Sequence, residues 1–161
     1  MINWYSQRMT LVLALAIGII AGLRTMTAPT VVSWAARLGR LHLTSTGLAF
    51  LGYAYTPWIL TASAIFELIT DQLPTTPSRT VPVQFGGRLL TGALSGGAIG
   101  ASSGILVVGA ISGLVGAVIG TLGGRAVRGQ LAAAFGNDHP AAIIEDIVAI
   151  GGALAVVTML P

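Results

Sequence analysis

Residues 89–124 read LLTGALSGGAIGASSGILVVGAISGLVGAVIGTLGG, an apolar stretch of 36 residues without one charged side chain. A helix of that length would measure about 54 Å, whereas the hydrocarbon core of a bilayer is about 30 Å thick. Ser102, Ser103 and Gly104 interrupt the stretch near its centre. The stretch therefore predicts two membrane-spanning helices that are joined by a tight turn.

The composition of the whole chain agrees with this interpretation. The 161 residues are 54% hydrophobic and 8% charged, whereas a soluble domain is about a quarter charged. All eight basic residues are arginine and are spread along the chain, which argues against a nucleic-acid partner. The absence of cysteine excludes thiolate chemistry. We expect an all-α integral membrane protein with membrane lipids as partners and no cofactor.

Proline and hydropathy divide the first part of the chain. The apolar run Met9–Met26 follows Arg8 as in a signal peptide, but no cleavage site precedes the next hydrophobic segment, so we predict a retained span. Thr27 and Pro29 mark a break in this first helix. A short second helix, Thr30–Leu38, then has Pro29 in its first turn.

The remaining segments are predicted in the same way. Residues 44–55 are aromatic and too short to span, and a helix from Pro57 to Leu73 comes after them. Residues 74–82 contain three prolines and predict an exposed loop. The fourth span ends at Arg125–Arg128 or a turn or two later, and a last helix runs from Pro140 to Leu160. The total is five spans, with four and six as the alternatives.

The arginines then suggest an orientation. Five of them fall on the side of the N-terminus: Arg8, Arg79, Arg88, Arg125 and Arg128. Three fall on the opposite side: Arg24, Arg37 and Arg40. The positive-inside rule predicts a multi-pass protein of the cell inner (cytoplasmic) membrane with its N-terminus in the cytoplasm.

The chain is predicted to form one membrane domain, 1–161, and it contains a hint of internal duplication. In the halves 9–73 and 86–160, a glycine-spaced apolar helix ends in arginine and is followed by a proline-initiated helix with acidic residues. Duplication would make transporters with internal repeats the nearest analogy, but composition alone also explains the match.

Glycines recur at every fourth position in three predicted helices, where they share one helix face. These helix-packing candidates are Gly18, Gly22, Gly92, Gly96, Gly100, Gly104, Gly116, Gly120 and Gly124. Such glycine-zipper spacing lets helix backbones approach closely. The contact is either an intramolecular hairpin, which we favour, or the seam of a homo-oligomer or a glycine-lined pore.

Five charged residues are predicted to lie at membrane depth, where an ionisable group costs a few kcal/mol and is a functional candidate. They are Arg24, Glu67, Asp71, Glu145 and Asp146. Glu67 and Asp71 share a helix face, and Arg24 is the expected partner of Glu67. This pair either fixes helix packing or binds a cation or proton. Glu145 and Asp146 are also explained by the helix dipole alone.

Other chemistry has little support. Arg125 and Arg128 share a face and are expected to contact lipid headgroups. His42 and His139 are far apart in the sequence and have no third ligand nearby, so no metal site is predicted. No serine lies in a nucleophile motif and no phosphate-binding loop is present, so we do not expect an enzyme. A lipid-handling enzyme that holds Mg²⁺ on Glu67 and Asp71 is a minor alternative.

Several of these positions resemble a known family. Gly22-Leu23-Arg24 with Pro29, the run from Trp34 to Gly39, and Glu67 with Asp71 and Pro74 are similar to small bacterial integral membrane proteins that are grouped only as a domain of unknown function. The resemblance extends to Arg88 and to the acidic pair after Pro140. It implies a membrane protein and supplies no activity.

From these features we expect a small channel or transporter for an ion or a small solute. In it, the broken first helix and the acidic face of the second line a polar path. The alternative is a non-catalytic structural or assembly protein whose charges only orient helices.

Overall fold

The computed structural model describes residues 4–71 and 81–160. Over these residues the chain is all-α, in agreement with the predicted fold class. The helices are α1 (Trp4–Leu23), α2 (Thr27–Arg37), α3 (Thr56–Thr70), α4 (Pro82–Ala101), α5 (Leu106–Phe135) and α6 (Asp138–Thr158). A short 3₁₀ helix, Ala49–Gly52, lies between α2 and α3.

Three of these helices, α1, α5 and α6, are long and apolar enough to cross a membrane. Helix α3 is apolar but has only 15 residues, or about 22 Å. Large apolar side chains on the outer faces are exposed, as Ile111 and Ile119 of α5 and Ile147 of α6 illustrate. The structure therefore supports a membrane protein with three candidate spans, and the count of five stays a prediction.

Helices α1, α4 and α5 form the centre of the molecule. Arg88 near the start of α4 contacts Gly22 near the end of α1, whereas Ser103, just after α4, lies 2.9 Å from Thr10 near the start of α1. Helix α4 is therefore antiparallel to α1. Thr121 of α5 also reaches Gly22, so α5 returns parallel to α1.

Glycine allows this close approach. A Cβ atom added at Gly96 would lie 2.5 Å from the carbonyl oxygen of Gly109 on α5. At Gly18 and Gly22 of α1, an added Cβ would overlap the backbone of α5. At Gly92 and Gly100 of α4 an added Cβ would also overlap the backbone of α5, and at Gly116 and Gly120 of α5 it would overlap the backbone of α1. Gly104 differs, because it lies after α4 with φ +73° and no neighbour, so it serves the turn instead of helix packing.

Helices α2 and α3 form a shorter antiparallel pair beside this centre. The Trp34 indole donates to Thr61 Oγ1 at 3.0 Å and packs edge-to-face on Trp58, with ring centroids 5.0 Å apart. At the other end of the pair, the last residues of α3 approach the start of α2. The chain between them, residues 38–55, inserts Leu41, Leu43 and Leu51 into the core.

Most of the predicted helix boundaries agree with the structure. The turn lies at residues 102–105, as expected, and α5 continues past Arg128 to Phe135, where Gly136 ends it with φ +66°. The Asn137 side chain accepts a hydrogen bond from the His139 amide and caps α6. The predicted loop 74–82 lies mostly outside the described residues, and its last residue, Pro82, begins α4. The duplication of halves stays a prediction.

Candidate functional site

The chain reverses direction between α1 and α2, and the charged side chains gather at this point. Helix α1 ends at Leu23 and α2 begins at Thr27, so residues 24–26 form the break. The prediction that Thr27 and Pro29 form the break is wrong by a few residues, because both already lie in the first turn of α2. Proline fits there because first-turn amides have no partner within the helix.

Glu67 caps the start of α2. Its two carboxylate oxygens accept hydrogen bonds from the backbone amides of Thr25 and Met26, at 2.7 and 2.8 Å. Met26 at the N-cap position supplies no capping side chain of its own. A carboxylate from α3 therefore satisfies two amides that would otherwise be unpaired, and it faces the positive end of the α2 dipole.

Arg88 caps the carboxyl end of α1. One guanidinium nitrogen, Nη1, donates to the carbonyl oxygens of Gly22 and Leu23 at 2.6 and 2.8 Å. The Arg88 side chain is buried, and Thr121 Oγ1 adds a donor to the Gly22 carbonyl at 3.3 Å. The last carbonyls of α1 thus find donors on α4 and α5, as buried backbone groups require.

Arg24 is completely buried between two carboxylates. Its Nη1 pairs with Asp71 at the end of α3, and its Nη2 forms an ion pair with Asp146 of α6. The aspartate side chains are 14% and 17% exposed, so both are largely buried as well. Arg24 Nε has no hydrogen-bond partner among the described residues. One guanidinium therefore joins three helices at the break.

A second group of charges lies beside this one. Arg128 near the end of α5 donates from Nε and Nη2 to Asp138 at 2.9 and 2.5 Å, and its Nη1 lies 3.4 Å from Glu145. Arg128 is therefore paired with two carboxylates of its own chain, and its contact with lipid headgroups stays a prediction. Arg125 is exposed and has an interaction within the chain as well.

The structure brings all the acidic residues of the chain to one end of the bundle. The chain has five, and they are Glu67, Asp71, Asp138, Glu145 and Asp146. Each contacts the α1–α2 break or the adjoining Arg128. Arg24 lies 16 residues after Arg8, or about 24 Å along a helix, so the charged group lies at the end of α1 opposite to Arg8.

This arrangement changes the arginine count on which the orientation rested. The sequence interpretation placed Arg88 and Arg128 on the side of the N-terminus, opposite Arg24. In the structure both lie at the same end of the bundle as Arg24, because Arg88 contacts the end of α1 and Arg128 contacts the residue before Asp146. The count therefore gives no support to a cytoplasmic N-terminus.

The five predicted charged candidates do come together, but with different partners. Glu67 binds backbone amides and not Arg24, which takes Asp71 and Asp146 instead. The sequence interpretation missed Arg88 as part of the site. The available signal was an arginine four residues before Gly92, in a helix whose other buried residues are mostly small.

The cluster offers charge and hydrogen bonds but no recognisable catalytic arrangement in the described residues. No group of three or more histidine or acidic side chains there is placed to hold a metal ion. Glu67 and Asp71 face different partners, and the enzyme alternative with Mg²⁺ stays a prediction. The charges and hydrogen bonds of the cluster suit the binding of a proton or a small ion, or the locking of helices.

Comparison with protein-family models, with curated proteins and with solved structures finds no match to this chain. The resemblance to the family of small bacterial membrane proteins therefore stays a prediction.

Proposed function

We propose that this protein is a small multi-pass membrane protein of the inner membrane that transports or conducts an ion or small solute. Arg24, Asp71 and Asp146 are its coupling site. The observation that carries the proposal is the complete burial of Arg24 between two carboxylates at a helix break. Broken helices with charged groups are the usual binding places in membrane transporters.

The cost of this arrangement supports a functional role. Burying an ion pair rarely stabilises a protein more than apolar packing of the same volume would. Ionisable groups within a membrane-spanning segment are also rare and are typically found on ion or proton pathways. A purely structural contact between α1, α3 and α6 needs none of these three charges, so their presence favours a use beyond packing.

The charge balance indicates which ion the site would take. Arg24 carries one positive charge and its two partners carry two negative charges when ionised, which leaves an excess of one negative charge. A proton or a monovalent cation would neutralise this excess. An exchange in which one aspartate releases Arg24 when it binds the ion supplies the two states that transport requires.

The glycine contacts support a second part of the proposal. We place seven of the helix-packing candidates in a glycine zipper within one chain, because an added Cβ at each would overlap the backbone of a neighbouring helix: Gly18, Gly22, Gly92, Gly96, Gly100, Gly116 and Gly120. Backbone contact of this kind makes a rigid centre. The shorter α2–α3 pair then moves against it when the ion pairs at the break change.

A structural or assembly role is the second candidate, and the capping of the break favours it. Glu67 and Arg88 satisfy the amides and carbonyls that the break exposes. These two residues are accounted for without any transported ion. If Arg24, Asp71 and Asp146 act in the same way, the whole cluster is scaffolding.

Flux into proteoliposomes distinguishes the two candidates. Wild type, Asp146→Asn and Asp138→Asn are reconstituted, and uptake of H⁺, Na⁺ and K⁺ is followed with internal indicator dyes under an imposed membrane potential. Asp138 is the matched control, because it is an acid at the same end of the bundle with a side chain that is 58% exposed.

Transport predicts flux of one of these ions through the wild type. That flux falls at least tenfold in Asp146→Asn and stays within twofold in Asp138→Asn, at equal amounts of folded protein. Equal flux through Asp146→Asn and wild type would remove the coupling role. Absence of flux for all three ions would favour the structural candidate.

A further inference from the structure

A groove lies beside the charged cluster, between α1, α5 and α6. It has a volume of about 300 Å³. Ile19 and Leu23 of α1 form part of its lining, and Ile144 and Val148 of α6 form another part. On α5, glycines contribute to the lining, Gly123 among them. Arg128 and Glu145 are its only charged lining residues among those described.

The groove exists because side chains are missing from α5. A Cβ atom built at Gly123 meets no atom within 4 Å, in contrast to Gly120 one turn earlier, where it would overlap the backbone of α1. The lining along α5 continues from Ile119 to Leu131, which are 12 residues apart, or about 18 Å. The groove is therefore long, narrow and apolar, and it opens on the side where α5 and α6 expose apolar residues.

We propose that this groove binds one hydrocarbon chain of a membrane lipid, drawn from the leaflet that contains the charged cluster. A helix of a second copy is too wide for it, because a volume of about 300 Å³ along a length of about 18 Å is far too small for a helix with its side chains, which is about 10–12 Å across. A single acyl chain fits a long apolar groove of this volume. Lipid tails are also the molecules that surround the groove if α5 and α6 cross the membrane as their length and hydropathy indicate.

The charged residues at the groove indicate which part of the lipid it recognises. Arg128 is held by both Asp138 and Glu145, so its charge is compensated within the chain. The groove therefore selects for the hydrocarbon chain and not for an anionic headgroup. Phosphatidylcholine and phosphatidylglycerol with the same chains are expected to bind within twofold of one another.

The test counts lipids that stay bound after detergent exchange. Wild type, Gly123→Leu and Gly129→Leu are taken from vesicles of dibrominated phosphatidylcholine, and retained lipid is measured by native mass spectrometry through its bromine isotope pattern. Gly123→Leu places a side chain in the groove. Gly129→Leu is the matched control, because Gly129 lies on the same helix, is exposed and also has open space around it, but does not line the groove.

The wild type and Gly129→Leu are expected to retain one lipid per chain, and Gly123→Leu at least fivefold less. Equal retention by Gly123→Leu and wild type, or no retention by the wild type, would overturn the proposal. A wild-type dimer that Gly123→Leu converts to a monomer, with lipid retention unchanged, would assign the groove to a second copy instead. If Gly123→Leu fails to fold, Gly123→Val with its shorter side chain takes its place.

Discussion

The break between α1 and α2 and the turn between α4 and α5 both reverse the direction of the chain, and they do so by different means. The turn satisfies its own backbone: Ser103 and Ile105 donate to Gly100, and Gly104 adopts φ +73°. The break depends on side chains from elsewhere, since Glu67 reaches it from α3 and Arg88 from α4. Local residues make the turn, and tertiary structure makes the break.

This difference indicates where function is to be sought. The turn forms from glycine and serine and contains no charged residue. The break collects buried charges from three other helices, at a cost that the turn avoids. The proposed coupling site therefore lies at the break, and the turn is proposed only to connect α4 and α5.

Of the substitutions at these two regions, removal of Arg24 should lower the free energy of unfolding most. Arg24→Met leaves Asp71 and Asp146 buried without their partner, and loss of one member of a buried ion pair costs about 3–5 kcal/mol. The free energy of unfolding is measured by denaturation in mixed detergent micelles. Arg40→Met is the control, because Arg40 is exposed, and a change of less than about 0.5 kcal/mol is expected. A small effect of Arg24→Met would mean that water reaches the aspartates.

The glycine contact joins α1, which leads into the break, to α5, which follows the turn. Its loss should cause the second-largest decrease in stability. Gly18→Ala puts a Cβ into the backbone of Gly113, so the helices must separate, and overpacking of this kind costs about 1–3 kcal/mol. Gly151→Ala has open space around it and is expected to be neutral or stabilising by up to about 1 kcal/mol. The same unfolding assay compares the two variants, and equal stability would show that the helices do not touch at Gly18.

Glu67→Gln tests the capping of the break directly. Glutamine keeps one oxygen acceptor, so one of the amides of Thr25 and Met26 loses its partner, at about 1–2 kcal/mol. Hydrogen exchange at these two amides should accelerate while exchange in the α4–α5 turn stays constant. Faster exchange at both places would show general loosening and contradict a local capping role.

The turn should give the smallest effect. Gly104→Ala forces a residue with a Cβ into a left-handed conformation, which costs about 1 kcal/mol, and no neighbour is disturbed. Ion flux per folded molecule should stay within twofold of the wild type. A tenfold loss of flux would show that the turn belongs to the transport path after all.

The same contrast explains how much of the molecule could be predicted. The turn at residues 102–105 depends on neighbouring residues, and the structure agrees with the prediction. The predicted place of Pro29, in the first turn of α2, is likewise local and agrees with the structure. The partners of Arg24 lie 47 and 122 positions away, and no local rule selects Asp71 over Glu67. The choice depends on the register between α3 and the break, which only the packed structure sets.

The arginine count gave no sound orientation for a related reason. It assumed that helices alternate across the membrane, whereas α2 and α3 form a short pair that starts and ends at the same end of the bundle. That pair places Arg24, Arg88 and Arg128 together. Hydropathy gives the length of an apolar segment, but it does not show that two short helices begin and end at the same end of the bundle.

Arg24, Asp71 and Asp146 have to act as one unit if the break is the coupling site. The decisive measurement compares the unfolding free energy of Arg24→Met with that of the triple variant Arg24→Met, Asp71→Asn, Asp146→Asn. If the three residues are a buried unit, neutralising both aspartates should recover at least half of the loss caused by Arg24→Met, because no unpaired charge remains. A triple variant less stable than Arg24→Met, by the sum of separate costs, would show that the three residues act independently and would contradict this assignment.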